Sequence, residues 1–74
     1  MYREVRVADS RLRDAYESAA ELDVPVAEMR QVRRLWRRAL ERWPTDPVGT
    51  VGTLDGLAAR LEDAQDRLLN GSRP

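Results

Sequence analysis

The chain has 74 residues, with 13 basic side chains against 13 acidic ones, a formal charge of zero, and neither cysteine nor histidine. That length supports one domain with a thin core worth about 3–5 kcal/mol net, so a partner surface or self-association is expected to complete it. The absent residue types exclude disulfides and thiolate metal sites and remove the usual general base and the commonest metal ligand.

The N-terminus, MYREVRVADS, carries charges where a signal peptide needs an apolar block, which argues against secretion. No apolar run approaches the roughly 18–20 residues of a membrane span, and a cytoplasmic protein is the expectation. Tyr2, Val5, Ala8, Leu12, Ala15, Tyr16 and Ala19 recur at spacings of three and four and share one helical face. Asp9 and Ser10 are good N-cap types, so the first helix is placed at 9–22, with a short strand through Val5 and Val7 left open before it.

The break falls at LDVP. Proline pushes Val24 out of the α region, Pro25 suits a first helical turn, and Asp23 can take a left-handed turn conformation. The second helix, 25–43, sets Met29, Val32, Leu35, Trp36, Ala39, Leu40 and Trp43 on one arc. Arg30, Arg33, Arg34, Arg37 and Arg38 lie on the opposite arc. Pro44 ends it. PTDPVGTVGT, with two prolines and two glycines, predicts a loop over 44–53. Thr53 then caps a third helix, 54–69, whose Leu54, Leu57, Leu61, Ala64 and Leu68 form a heptad-like seam. Asn70-Gly71 is read as a stop with glycine left-handed, followed by a frayed tail over 70–74. The fold class is all-α: a small three-helix bundle forming a single domain over 1–74.

Charge is unevenly spread. Residues 25–43 hold six arginines against two glutamates, a net +4, between flanks of −2 each. Catalysis is not expected, because no His or Lys can activate a nucleophile and Glu62, Asp63 and Asp66 lie on a polar face with nothing to bury them. "VGTVG" lacks the spacing and the lysine of a phosphate loop. No metal, cofactor or small-molecule substrate is expected.

SAAELDVPVAEMRQVRRLW, residues 18–36, resembles the helix-turn-helix of bacterial repressors and excisionase-like proteins. Ala19 matches the small residue at the helix crossing, Leu22 and Val24 the apolar positions flanking the turn, and Met29 and Val32 the inward positions of the second helix. The resemblance implies DNA binding, with Arg30, Gln31 and Arg34 near base edges and Arg33, Arg37 and Arg38 near phosphates. Three features depart from the pattern: Asp23 where glycine is usual, Pro25 in place of a hydroxyl cap, and Glu28 near the reading end.

The preferred expectation is a non-enzymatic interaction module, self-associating or a subunit or adaptor of a bacterial or phage assembly. Its candidate interface residues are Trp43, Val26, Leu54, Leu61 and Leu68, although the leucine seam also suits an internal core. Membrane-surface binding by the basic helix ranks last, since its apolar arc would have to leave the core to reach lipid. Between the first two readings, the deciding question is whether the acidic helices neutralise the arginines. Asp14, Glu17 and Glu21 on the first helix and Glu62, Asp63 and Asp66 on the third are the candidates. Val26, apolar on the arginine side, either staples the turn, meets a thymine methyl group or faces a partner.

Overall fold

The computed structural model describes residues 2–71 and consists of three helices. α1 spans Arg3–Glu21, α2 Val26–Arg42 and α3 Pro47–Asn70. The all-α three-helix reading holds, with corrections at the boundaries.

α1 begins six residues earlier than Asp9 would set it. Val5 and Ala8, both buried, extend the apolar stripe of Leu12, Ala15 and Ala19 and make the first turns worth forming. The strand considered over Val5–Val7 is therefore absent, and Asp9 lies inside the helix with a different task, described below. The other end of α1 closes as a Schellman motif. Val24 N–H donates to Ala19 C=O at 3.1 Å and Asp23 N–H to Ala20 C=O at 3.4 Å. Asp23 takes the left-handed conformation, φ 61°, as its side-chain type allows. Buried Ala19 and Val24 supply the apolar pair that accompanies this motif.

α2 begins at Val26, directly after Pro25, whose carbonyl accepts from Met29 N–H at 3.1 Å. Met29, Val32 and Ala39 are its buried residues. Leu35, Trp36, Leu40 and Trp43 pack partly exposed against the core margin.

The predicted loop over 44–53 is the main correction. Only residues 43–46 connect α2 to α3, which starts at Pro47. Asp46 is its N-cap, its Oδ1 accepting from Gly49 N–H at 3.0 Å, and Pro47 stands at the first helical position, where no N–H is needed. Thr53 is therefore inside the helix and caps nothing. Thr50, almost fully buried, donates its hydroxyl to Asp46 C=O at 2.8 Å and approaches Ala39 C=O at 3.3 Å, linking the new first turn to α2. At the far end Gly71 N–H bonds Arg67 C=O, but its φ of −74° is right-handed and not the expected left-handed cap. Asn70 is still helical, and residues 72–74 of the expected frayed tail lie outside the described residues.

Side-chain pairings give the topology. Arg11 reaches Asp55 and Glu62, and Ser18 and Ala15 C=O both bond Gln65, so α1 and α3 run parallel. Arg60 meets Glu28 while Thr50 meets Ala39, so α2 runs antiparallel to both. The bundle is up-down-up, measuring 47 × 19 × 16 Å. α1 and α3 approach most extensively, with α2 on α3 next, whereas α1 and α2 meet chiefly through long side chains. Among the described residues, five of the thirteen buried apolar ones are alanines, with Ala8, Ala15 and Ala19 on α1; such small side chains let helices approach closely.

Candidate interaction surface

α1 and α2 are held apart by two rings. Tyr16 and Trp36 pack in a tilted pair with centroids 5.8 Å apart and an interplanar angle of 56°. The Trp36 Nε1–H donates to Asp9 Oδ1 at 2.7 Å, and Asp9 also accepts from Arg13 at 3.2 Å. The indole's only donor is thus satisfied beneath the surface, and the ring offers apolar atoms outward.

Because the two helices splay around these rings, a groove opens between them on the side of the bundle away from α3. One depression of about 500 Å³ is lined by Tyr16, Trp36 and Leu40, with Arg13, Glu17, Arg33 and Arg37 at its edges. A second, of about 400 Å³, continues from Tyr16 and Arg33 past Met29 and Arg30 to Val24 and Val26, with Ala20 and Asp23 on the α1 side. Periodicity placed Tyr16 on the buried stripe and both tryptophans on the inner arc. It could not show that three large rings exceed the room in an alanine-rich core and are displaced to its edge.

The acidic helices do not neutralise the basic face. Arg30, Arg33, Arg34, Arg37 and Arg38 are exposed, and among the described residues none has a carboxylate oxygen within 4.0 Å. The cross-helix ion pairs lie elsewhere. Arg11 bridges Asp55 and Glu62, the hydrogen bond with Glu62 leading the rise of its pKa. Arg60 holds Glu28 at 2.6 Å and Gln31 Oε1 at 2.8 Å. Asp63 and Asp66 are exposed on α3.

The residues singled out for DNA therefore divide. The five arginines share an open face lined also by Glu41, whereas Gln31, also exposed, accepts a hydrogen bond from Arg60 of α3 at 2.8 Å. Glu28, the acid near the reading end of the helix-turn-helix pattern, is paired with the same arginine.

The interface residues divide as well. Leu54 and Leu61 are fully buried and have no surface to offer a partner, so this part of the expected interface is corrected to internal core. Trp43 is half-buried against the core. Val26 is two-thirds exposed at 66%, which rules out a buried staple, and Leu68 is 43% exposed near the turn between α1 and α2. Among the described residues no helix is long and apolar enough to cross a membrane, and no group of three metal-ligating side chains gathers.

The class defined by these features is a small all-α, up-down-up three-helix bundle with an arginine-rimmed groove on one side. No protein-family model, no curated protein and no solved structure matches the chain.

Proposed function

We propose that the protein is a non-enzymatic helical interaction module, a subunit or adaptor that binds an acidic protein surface through the outer face of α2. The observation that carries this reading is the set of five exposed arginines without a carboxylate partner among the described residues. Like charges at three- and four-residue spacings repel one another and destabilise the helix that bears them, so internal stability does not account for this cluster. An external anion does, since pairing there supplies attraction, orientation and fast encounter.

A second reading, DNA binding through the same face, has the same arginines in its favour. Two observations rank it lower: Gln31 is engaged by Arg60, and α1 and α2 form an antiparallel hairpin instead of the roughly 90–120° crossing of a helix-turn-helix.

Titration of the purified protein with an acidic polypeptide (poly-glutamate) and with random duplex DNA separates the two, at low salt and at about 0.2 M salt. The interaction reading expects polypeptide binding that is lost in Arg33→Glu/Arg37→Glu, and DNA binding that disappears at the higher salt. DNA binding that persists at the higher salt and is lost in Arg34→Ala selects the second reading. No binding of either probe at low salt removes the arginine face from both.

A further inference from the structure

The groove between α1 and α2 has more chemistry than an anion-binding face requires. Its floor is apolar and aromatic, from Leu40 through Trp36 and Tyr16 to Met29 and Val26, and its α2 edge carries Arg30, Arg33 and Arg37. We infer that this groove is the docking site for an acidic amphipathic helix of another protein, which lays apolar side chains on the Tyr16–Trp36 floor and carboxylates against the α2 arginines. The inference rests on the interaction reading above and specifies its partner.

Size, chemistry and charge all point to that occupant. From Val26 to Leu40 the floor follows α2 for about 21 Å, the length of a helix of about fourteen residues. Helices that dock in grooves do so by apolar anchors at i, i+3 or i+4 and i+7, and two depressions in line suit two such anchors. With its Nε1–H already donated to Asp9, Trp36 presents no unsatisfied donor to an incoming aliphatic side chain. The charge is one-sided. The α2 edge is purely cationic, whereas Arg13 on α1 is accompanied by Glu17 and Asp23, so the occupant's carboxylates belong over α2.

A second copy of the chain is a poorer fit. Two such grooves face to face would set the arginine edge either against itself or against the partner's α1 edge, where Arg13 offsets part of the charge of Glu17 and Asp23. The exposed carboxylates Asp63 and Asp66 belong to α3, which contributes nothing to either depression. Self-docking through those α3 carboxylates would run head to tail and leave an open chain of subunits.

The test uses three synthetic probes. The first is a sixteen-residue helical peptide with leucines at i, i+4 and i+7 and glutamates elsewhere on its polar face. The second is the same peptide with those leucines replaced by serine at unchanged charge, and the third is a single-stranded oligonucleotide of equal charge. Binding is read from Trp36 fluorescence in a Trp43→Phe variant and, in the unaltered chain, from backbone amide shifts at Tyr16, Arg33, Trp36 and Leu40. The expected result is saturable binding of the leucine peptide, about tenfold or more tighter than the serine peptide, as loss of central apolar anchors implies. Those four amides are expected to shift, and Arg33→Glu/Arg37→Glu to abolish the binding. Equal affinity for the two peptides overturns the groove and leaves the basic-face reading standing. Binding of neither peptide overturns both. Tighter binding of the oligonucleotide, with the same amides shifting, overturns the inference in favour of base stacking on the rings.

Discussion

The indole Nε1 of Trp36 lies 2.7 Å from Asp9 Oδ1, a hydrogen bond that joins two helices whose backbones hardly approach. Asp9 is only 13% exposed at its side chain, and it also takes Arg13 at 3.2 Å. This carboxylate therefore sets where Trp36 stands and how wide the groove opens. Asp9→Ala leaves a partly buried donor without its partner and is expected to lower stability by about 1–3 kcal/mol. Asp9→Asn keeps an acceptor and should lose less. Urea denaturation followed at both tryptophans measures the difference, and equal losses for the two variants would show that the bond does not position the ring.

The first turn of α3 depends on Asp46. Its side chain satisfies Gly49 N–H, and its carbonyl accepts both Thr50 N–H and the Thr50 hydroxyl. Asp46→Ala is expected to cost about 1 kcal/mol, the usual loss at an N-cap. Exchange of the amides at 48–50 should rise with it. Unchanged exchange there would place the true start of α3 further along the chain.

The three helical glycines of α3 are not equivalent. A Cβ at Gly52 or Gly56 meets nothing within 4 Å, while one at Gly49 meets the Asp46 carboxylate. Gly52→Ala and Gly56→Ala should each stabilise the fold by about 0.5–1 kcal/mol, since alanine forms helix better and no atom obstructs it. Gly49→Ala displaces the cap and should yield no gain, or a net loss. Thermal unfolding of the three variants side by side checks the order, and a gain at Gly49 equal to the others would contradict the cap geometry.

These glycines also show why composition and structure disagree over one stretch of the chain. PTDPVGTVGT has the composition of a loop, yet Asp46-Pro47 is an N-cap followed by a first-turn proline, and the two glycines that follow lie inside the helix. What decides the outcome is tertiary: Thr50 and Leu54 are buried against the other helices, which offsets the weak local preference. The stripe through Leu12, Ala15 and Ala19, the tight turn at Asp23 and the arginine face were legible because period and residue type suffice for them. The groove was not. It arises from Tyr16 and Trp36, twenty residues apart in sequence, meeting over a core too small to enclose them, and from Arg60 binding Glu28 and Gln31 instead of leaving acids for the α2 arginines.

The α2 face also predicts a conflict between stability and binding. Arg34 has Arg30 four residues before it and Arg37 and Arg38 three and four residues after it, with no carboxylate within 4.0 Å among the described residues. Each like-charged neighbour at these spacings costs a few tenths of a kcal/mol, and reversing the charge turns each into an attraction of similar size. Arg34→Glu should therefore stabilise the fold by about 1 kcal/mol at low salt. The gain should shrink as ionic strength rises and the Debye length falls to about 10 Å near 0.1 M. Arg60→Ala is the contrasting case. It removes the Glu28 and Gln31 contacts of an arginine whose side chain is 36% exposed and should lose up to about 1 kcal/mol. The same Arg34→Glu protein, folded and more stable, should bind acidic polypeptide several-fold more weakly than the unaltered chain. Stability and affinity moving in opposite directions would mark Arg34 as a binding residue, whereas a loss of stability in Arg34→Glu would mean that the arginine face helps hold the bundle together.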